Sequence, residues 1–293
     1  MTRAGIVTVA GKPNAGKSTL LNRLVGQKLA ITSPKPQSTR DRVVGIRTAG
    51  GVQMVLLDTP GLLDPEYTLH EVMRATALAA LRDADVIVYV ADATAGPPPP
   101  LASIAGLERP LRAPIVIWLN KTDTLNAGQR ASICDDLPDA LAGSALLGTG
   151  VDALVERVGA LLPEHPYLYD PEDISTQQVR FFAAELVRES ALEQLDEEVP
   201  YSVACVIEEF REERDPVYIR AVVHVERDSQ KAILIGEGGT RIREIGKASR
   251  LKIEELVGAR VYLDLWVKVL PNWRRDSAAL ARLGYFSPEE KGA

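Results

Sequence analysis

The first half of the chain alternates short apolar runs with segments of helical periodicity. The run AGIVTVAG (4–11) is β-branched and ends in glycines, which predicts a buried strand. The next segment, GKSTLLNRLVGQ (16–27), has leucines at helical spacing, and RVVGIRTAGGVQMVLLDTPG (42–61) predicts two strands joined at a glycine pair. Because apolar runs and helical segments go on alternating up to APIVIWLN (113–120), we expect a mostly parallel sheet with helices on both faces.

The pattern changes in the second half. The periodicity stops near LLPEHPYLYDPEDIS (161–175), which contains three prolines and predicts a linker. Beyond it we expect a helix, two long strands around Asp215-Pro216, two helices joined at glycines and a final strand ARVYLDLWVKVL (259–270). This order predicts a smaller α+β domain. The expected boundaries are 1–163 for the first domain, 164–175 for the linker and 176–293 for the second domain.

Composition fits two globular domains, with 46% hydrophobic and 25% charged residues in 293. The formal charge of −6 argues against a molecule that is basic over its whole surface. Residues 227–275 nevertheless carry 11 Lys and Arg against 6 Asp and Glu, a local basic excess. The two cysteines and three histidines show no disulfide framework or zinc spacing. No apolar run is long enough to span a membrane, so we expect a cytoplasmic protein, with peripheral contact to a membrane surface left open.

The stretch GKPNAGKS (11–18) has the spacing of a phosphate-binding loop between a predicted strand and a predicted helix. Gly11 and Gly16 let the backbone wrap so that N–H groups face phosphate oxygens, and the helix N-terminus adds its positive dipole end. Lys17 can reach the β- and γ-phosphates, and the Ser18 hydroxyl can take one Mg²⁺ position. The sequence therefore predicts a nucleotide with Mg²⁺.

A second motif, DTPG (58–61), follows an apolar strand. Asp58 can hold Mg²⁺ through water, and the Gly61 N–H can face the γ-phosphate. Between the two motifs lies the polar segment SPKPQSTRDR (33–42), in which Thr39 is the candidate switch residue and a plain surface threonine is the alternative. The expected catalytic residues are Lys17, Thr39 and Gly61, and the expected metal ligands are Ser18, Thr39 and Asp58.

The motif WLNKTD (118–123) indicates which base is read. The two carboxylate oxygens of Asp123 match the N1–H and the N2 amine of guanine, and adenine has neither donor at those positions, so the site favours GTP. Ser144 and Ala145 fit the loop that closes over the guanine O6. The expected GTP-binding residues are Gly11, Lys12, Pro13, Asn14, Ala15, Gly16, Lys17, Ser18, Thr19, Asp58, Thr59, Pro60, Gly61, Asn120, Lys121, Asp123, Ser144 and Ala145.

The stretch ILIGEGGTRIREIG (233–246) contains a G-x-x-G loop between two predicted helices in the basic region. In KH domains such a loop clamps the backbone of about four single-stranded nucleotides. Arg250 can also line the phosphates, whereas a solvated helix face is the alternative for the arginines of this helix. Trp273 either stacks on a base or packs in the core. The expected RNA-binding residues are Gly236, Glu237, Gly238, Gly239, Arg241, Arg243 and Lys247.

Together with LWVKVLPNWRRD (265–276), these motifs resemble the Era family of bacterial GTPases over nearly the whole chain. The resemblance implies a Ras-like P-loop GTPase domain with a mostly parallel sheet, followed by a KH-type RNA-binding domain. It implies GTP and GDP binding, dependence on Mg²⁺, binding to the 3′ end of 16S ribosomal RNA, and a role in 30S subunit assembly and maturation. It also implies peripheral association with the inner membrane, and we expect a monomer.

Three positions qualify the resemblance. Leu62 follows Gly61 where many small GTPases have a water-orienting glutamine, so we expect slow intrinsic hydrolysis. Glu237 is acidic within the KH loop. Asn14 is a candidate ligand for K⁺ beside the phosphates. Two other functions stay open: an RNA- or protein-binding module with nucleotide as a structural ligand, and a GTPase of the membrane surface.

Overall fold

The computed structural model describes residues 1–286, which form two compact units. The first unit comprises residues 1–66 and 70–176, and the second comprises residues 67–69 and 177–286. The last seven residues of the second predicted domain, 287–293, lie outside the described residues.

The first unit is built on a six-stranded sheet with the strand order β2-β3-β1-β4-β5-β6. Only β2 runs antiparallel to its neighbour, which confirms the mostly parallel sheet. The elements are β1 (Arg3–Ala10), α1 (Lys17–Val25), β2 (Val43–Ala49), β3 (Val52–Asp58), α2 (Thr68–Asp83), β4 (Val86–Asp92), α3 (Leu101–Ala105), β5 (Ile115–Asn120), α4 (Ala127–Asp136), β6 (Leu141–Ala142) and α5 (Val151–Leu161). The last strand of the sheet, β6, has only two residues.

The central strands are apolar because helices cover both of their faces. In β4 the first six residues are buried, and in β1 Val7 and Val9 are fully buried. β1 pairs with β3 on one side and with β4 on the other, so the strand order changes direction there. Because β1, β3, β4 and β5 are parallel, the loops that follow them lie together at the carboxyl edge of the sheet. Ligands of such sheets bind at this edge.

The second unit has a three-stranded sheet in the order β7-β8-β9, with β7 antiparallel and β9 parallel to β8. Its elements are α6 (Val179–Gln194), α7 (Val199–Ser202), β7 (Ala204–Arg211), β8 (Val217–Val225), α8 (Asp228–Ile235), α9 (Thr240–Val257), β9 (Val261–Val269) and α10 (Ser277–Arg282). The predicted helix, strand pair, helix pair and final strand are all present in this order.

One apolar cluster forms the core of the second unit. Val187 of α6, Val223 of β8 and Ile245 of α9 are fully buried members of it. Lys252 of α9 also binds Glu189 and Glu193 of α6, at 2.9 and 2.8 Å, which fixes the two helices against each other. Among the described residues, no helix is long and apolar enough to cross a membrane.

Candidate nucleotide site and RNA-binding groove

The phosphate-loop residues wrap between β1 and α1. Gly11 has φ of 150°, and a Cβ there would lie 2.2 Å from the Val90 carbonyl oxygen. Gly16 has φ of 95°, and a Cβ there would lie 2.1 Å from Nδ2 of Asn120. Neither position accepts a side chain in this geometry, so both glycines are required by close approach as well as by backbone conformation.

Lys17 and Asp58 are both buried beneath this loop. The Lys17 ammonium donates to the Lys12 carbonyl oxygen at 2.9 Å. Burial lowers the pKa of Lys17 to about 8, against the opposing effect of Asp58. Burial likewise raises the pKa of Asp58 to about 6, against Lys17 and the hydroxyls of Ser18 and Thr39. Each group is thus a charge held away from water.

Three oxygens from three separate segments meet beside Lys17. The Ser18 hydroxyl donates to Oδ2 of Asp58 at 2.6 Å and lies 2.9 Å from the Thr39 hydroxyl. The Thr39 hydroxyl donates to the same carboxylate oxygen at 3.2 Å. The other oxygen, Oδ1 of Asp58, is buried and has no hydrogen-bond partner among the described residues. Two hydroxyls and a carboxylate with a spare oxygen fit the oxygen ligands and bound waters that Mg²⁺ prefers.

The asparagine of NKTD joins the phosphate loop to the expected base-reading loop. Asn120 Nδ2 donates to the Ala15 carbonyl oxygen at 2.8 Å, and its Oδ1 accepts the Ala145 N–H at 2.9 Å. The Ser144 hydroxyl accepts the Leu147 N–H at 3.1 Å and so closes the loop on itself. The residues predicted to contact the phosphates and the base therefore share hydrogen bonds.

Lys121 and Asp123 stand at the rim of the site. Lys121 has φ of 64° and binds Asp92 Oδ2 at 2.7 Å. Asp92 also caps the following turn by accepting from Thr94. Burial raises the pKa of Asp92, but the bonds from Lys121 and Thr94 outweigh this effect and hold the pKa below its usual value. Asp123 is exposed to solvent, as a side chain that reads a ligand must be.

The DTPG segment divides into residues that face the site and residues that face the core. A Cβ on Gly61 would lie 2.7 Å from the Pro13 nitrogen, so this glycine touches the phosphate loop. Thr59 and Pro60 are buried, and the Thr59 hydroxyl donates to the Val9 carbonyl oxygen. Leu62 is also buried, in a cluster with α2 and β4. The leucine side chain therefore lies in the core.

A cavity of about 510 Å³ lies over the phosphate loop. Its lining contains the predicted residues Pro13, Asn14, Gly16, Lys17, Ser18, Thr19, Thr39, Gly61 and Lys121. Lys12 and Ala15 line a neighbouring cavity of about 300 Å³. Gly11, Asp58, Thr59, Pro60, Asn120, Asp123, Ser144 and Ala145 belong to neither lining, although Asp58 bonds to Ser18 and Thr39 of the first cavity and Asn120 bonds to Ala15 of the second.

In the second unit, the predicted G-x-x-G loop lies between α8 and α9. Gly236, Gly238 and Gly239 all have positive φ, and Glu237 is exposed. Arg243 folds back so that its guanidinium donates to the carbonyl oxygens of Gly238 and Gly239 at 2.5 and 2.9 Å. This arginine braces the loop and adds positive charge beside it.

The other predicted cations of α9 have different surroundings. Arg241 donates to the Gln194 carbonyl oxygen at 2.7 Å, which anchors α9 to the end of α6. Lys247 is exposed, and Arg250 binds Glu254 at 3.0 Å. Trp273 is fully buried and donates from its indole nitrogen to the Ser202 carbonyl oxygen, so it packs in the core.

A groove of about 380 Å³ runs beside this loop. Its floor is apolar and its edge is basic, with Ile242, Arg243, Gly246, Lys247, Arg250, Leu263 and Leu265 as lining residues. An apolar floor receives bases while cations hold phosphates. The sequence motifs did not identify Ile242, Leu263 or Leu265, because their apolar side chains look like ordinary core positions.

Comparisons with known proteins agree with this geometry. The family described as "50S ribosome-binding GTPase" matches residues 6–121, and the family described as "KH domain" matches residues 198–274. GTPase Era of Carboxydothermus hydrogenoformans is 40% identical over 291 residues, which cover 97% of this chain and 98% of the relative. GTPase Era of Pseudomonas fluorescens is 41% identical over 294 residues, which cover 97% of each. The chain belongs to the Era family of GTPases.

Solved structures of Era proteins have the same fold. An Era variant from Aquifex aeolicus bound to GDP and AlF₄⁻ has a TM-score of 0.90 and 38% identity, covering 97% of this chain and 99% of that chain. Era in complex with MgGDPNP and nucleotides 1506–1542 of 16S ribosomal RNA matches with the same values. The predicted fold, a P-loop GTPase domain followed by a KH domain, is thereby confirmed.

Several residues that organise the candidate nucleotide site of this Era GTPase were not among the predicted site residues. Asp92, which binds Lys121, ends β4 and carries no motif of its own. Trp118 and Arg23 contact the same loop as Asn120. A carboxylate at the carboxyl end of a buried strand was the only signal that pointed to Asp92.

Proposed function

We propose that this chain hydrolyses GTP as its Mg²⁺ complex and uses the bound nucleotide to control binding of the 3′ end of 16S ribosomal RNA during 30S subunit assembly. The observation that supports this most directly is the cluster of Ser18, Thr39 and Asp58. Thr39 lies on the polar segment 33–42, Asp58 ends β3, and Ser18 is the second residue of α1. One ligand that bridges these side chains would hold segment 33–42 and segment 58–61 in place. A γ-phosphate and its metal order the switch segments of GTPases in this way.

In this proposal Ser18 and Thr39 would ligate Mg²⁺, and Asp58 would hold it through water. Charge on the phosphates would be neutralised at this position. Lys17 contributes a buried cation to the β- and γ-phosphates, and Gly61 presents its backbone N–H to the γ-phosphate. Because Leu62 lies in the core, it offers no group to orient the attacking water, and intrinsic turnover is slow.

Asn14 is the proposed ligand for a K⁺ ion next to the phosphates. Its amide nitrogen donates to the Pro34 carbonyl oxygen at 2.9 Å, so the side chain lies between the phosphate loop and segment 33–42. A cation there would add positive charge where charge builds up during hydrolysis. Equal hydrolysis rates in KCl and NaCl would contradict this assignment.

The proposed RNA site is the groove beside the G-x-x-G loop. Its apolar floor and the exposed Lys247 suit single-stranded RNA, and the Era complex with a 16S fragment supports RNA of that origin as the ligand. We place the GTP-binding domain at 1–163, the linker at 164–175 and the KH domain at 176–293. We propose a cytoplasmic monomer that associates with the inner face of the cell membrane.

The test is a pair of RNA titrations at one fixed salt concentration. Protein loaded with a non-hydrolysable GTP analogue, and separately with GDP, is titrated with a short single strand from the 3′ end of 16S RNA. Tenfold tighter binding with the analogue is expected and equals about 1.4 kcal/mol of coupling. Equal affinities in the two states would contradict the switch and favour a binding module that holds nucleotide as a structural ligand.

A further inference from the structure

Trp118 lies at the centre of the hydrogen bonds that hold the base-reading loop. It is fully buried in β5, two residues before Asn120. Its indole N–H donates to Asn120 Oδ1 at 3.3 Å, and the same oxygen accepts the Ala145 N–H at 2.9 Å. The indole therefore keeps the oxygen of the Asn120 amide towards the loop, and its nitrogen towards the Ala15 carbonyl at 2.8 Å.

Two glycines make room for this indole. A Cβ on Gly143 would lie 2.3 Å from Cη2 of Trp118, and a Cβ on Gly150 would lie 3.3 Å from the same atom. Gly150 also has φ of 76°. The loop of residues 143–150 thus begins and ends beside Cη2 of one buried ring. A side chain at either glycine would push the ring or the loop aside.

Arg23 holds the loop from the other direction. It lies in the last turn of α1, and its Nε donates to the Ala145 carbonyl oxygen at 3.2 Å. Its Nη2 donates to the Leu146 carbonyl oxygen, and its guanidinium carbon lies 3.7 Å from where a Cβ on Gly148 would be. Arginine suits this place because its planar fork can bind two acceptors at once.

These contacts close a ring through the nucleotide site. The phosphate loop binds Asn120 through Ala15, Asn120 binds the loop through Ala145, and Arg23 returns the connection to α1. The first residues of α1 are those expected to hold the phosphates and Mg²⁺. The positions of the phosphate groups and of the base-reading loop are therefore not independent.

We infer that Trp118 and Arg23 are positioning residues for guanine specificity: they hold the loop of residues 143–150 where it closes over the guanine O6. This inference rests on the proposed GTP function and adds to it two residues that were not among the predicted nucleotide-binding residues. Two simpler roles compete with it. Trp118 would only fill the core, and Arg23 would only offset the negative end of the α1 dipole.

The test compares three nucleotides that differ in one group of the base. Dissociation constants are measured for GDP, for 6-thio-GDP, which replaces the O6 acceptor with sulfur, and for IDP, which lacks the N2 amine. The variants are Trp118→Phe, which keeps an aromatic ring and loses the N–H, and Arg23→Ala. Each should weaken GDP binding by about fivefold to twentyfold, the value of one or two hydrogen bonds.

The ratios of the dissociation constants for these nucleotides distinguish the inference from the two simpler roles. In both variants the preference for GDP over 6-thio-GDP should fall at least threefold, about 0.65 kcal/mol, whereas the preference for GDP over IDP should not change. Asp123→Asn should instead reduce the preference for GDP over IDP and leave the preference for GDP over 6-thio-GDP unchanged. Arg23→Lys keeps the charge at the helix end without the two-pronged fork, so its preference for GDP over 6-thio-GDP should fall as it does in Arg23→Ala.

Matched controls are Trp266→Phe, at an exposed tryptophan of β9, and Arg82→Ala, at an exposed arginine in the last turn of α2. Both should leave all three constants within twofold. An unchanged 6-thio-GDP ratio in the soluble Arg23 variants would overturn the inference, with or without a folded Trp118→Phe protein. A wild-type protein with no preference for guanine nucleotides would instead overturn the proposed function, so the two failures are distinct.

Discussion

Replacing Gly16 by alanine tests the contact between the phosphate loop and Asn120. The matched control is Gly26→Ala at the other end of α1, where φ is 81° and a Cβ would have no heavy atom within 4 Å. Both variants place an L side chain in the left-handed region, which costs about 1–2 kcal/mol. Only the Gly16 variant also puts a carbon 2.1 Å from Asn120 Nδ2.

The displaced amide gives the expected difference. Asn120 would have to move by more than 1 Å, which breaks its bonds to Ala15 and Ala145, and two neutral hydrogen bonds are worth about 1–3 kcal/mol together. We therefore expect GDP to bind about fivefold to 150-fold more weakly to Gly16→Ala than to Gly26→Ala. Titration with a fluorescent GDP analogue measures both constants, and urea unfolding without nucleotide checks that both proteins are folded. If the two variants bind GDP within threefold of each other, the contact does not organise the site.

Three further changes test other parts of the molecule. Asp123→Asn should move the base preference from guanine towards xanthine nucleotides, because the N2 amine then loses its carboxylate acceptor. Competition between GDP and XDP measures this preference. An unchanged preference would show that Asp123 does not contact the base. Leu62→Gln should lower the free energy of unfolding by about 1–3 kcal/mol, because it buries an amide in an apolar cluster. Single-turnover assays should show no faster GTP hydrolysis than in the wild-type protein. A faster variant would mean that residue 62 reaches the nucleotide. Gly236→Asp combined with Gly239→Asp should abolish RNA binding by adding negative charge at the clamp, with GTP hydrolysis retained, and loss of both activities would show that the change acts beyond the KH loop.

The sequence predicted the features that depend on residues close together along the chain. Apolar strands and leucine-spaced helices fixed the order of elements, and the G-x-x-x-x-G-K-S loop followed β1 where parallel-sheet geometry requires it. The clustering of Ser18, Thr39 and Asp58 also agrees with chemistry inferred from spacing alone. The assignment of these residues to Mg²⁺ stays a prediction.

Contacts between residues far apart in the chain could not be predicted from the sequence. Nothing in the sequence distinguishes Arg23 from an exposed cation on a helix, because its acceptors lie 122 and 123 residues further along the chain. Nothing in the sequence distinguishes Trp118 from other apolar strand residues, since only the structure shows its N–H aimed at Asn120. In the same way, the choice between stacking and packing for Trp273 depended on the Ser202 carbonyl, which is 71 residues away.

The buried pair beneath the phosphate loop explains why this site suits a metal–nucleotide complex. Burial is the largest influence on both pKa values, and it disfavours the ammonium of Lys17 and the carboxylate of Asp58 alike. A phosphate group beside Lys17 and a divalent cation near Asp58 would each favour the charged form that burial opposes. The same low-dielectric surroundings strengthen both attractions. Asp58 accepts from two hydroxyls through one oxygen, and its other oxygen has no hydrogen-bond partner among the described residues. A metal bound there would therefore not expose the carboxylate to bulk water. The cost of burying two charges is thus offset by a ligand that carries both opposite charges together, and a nucleotide without its metal supplies only one of them.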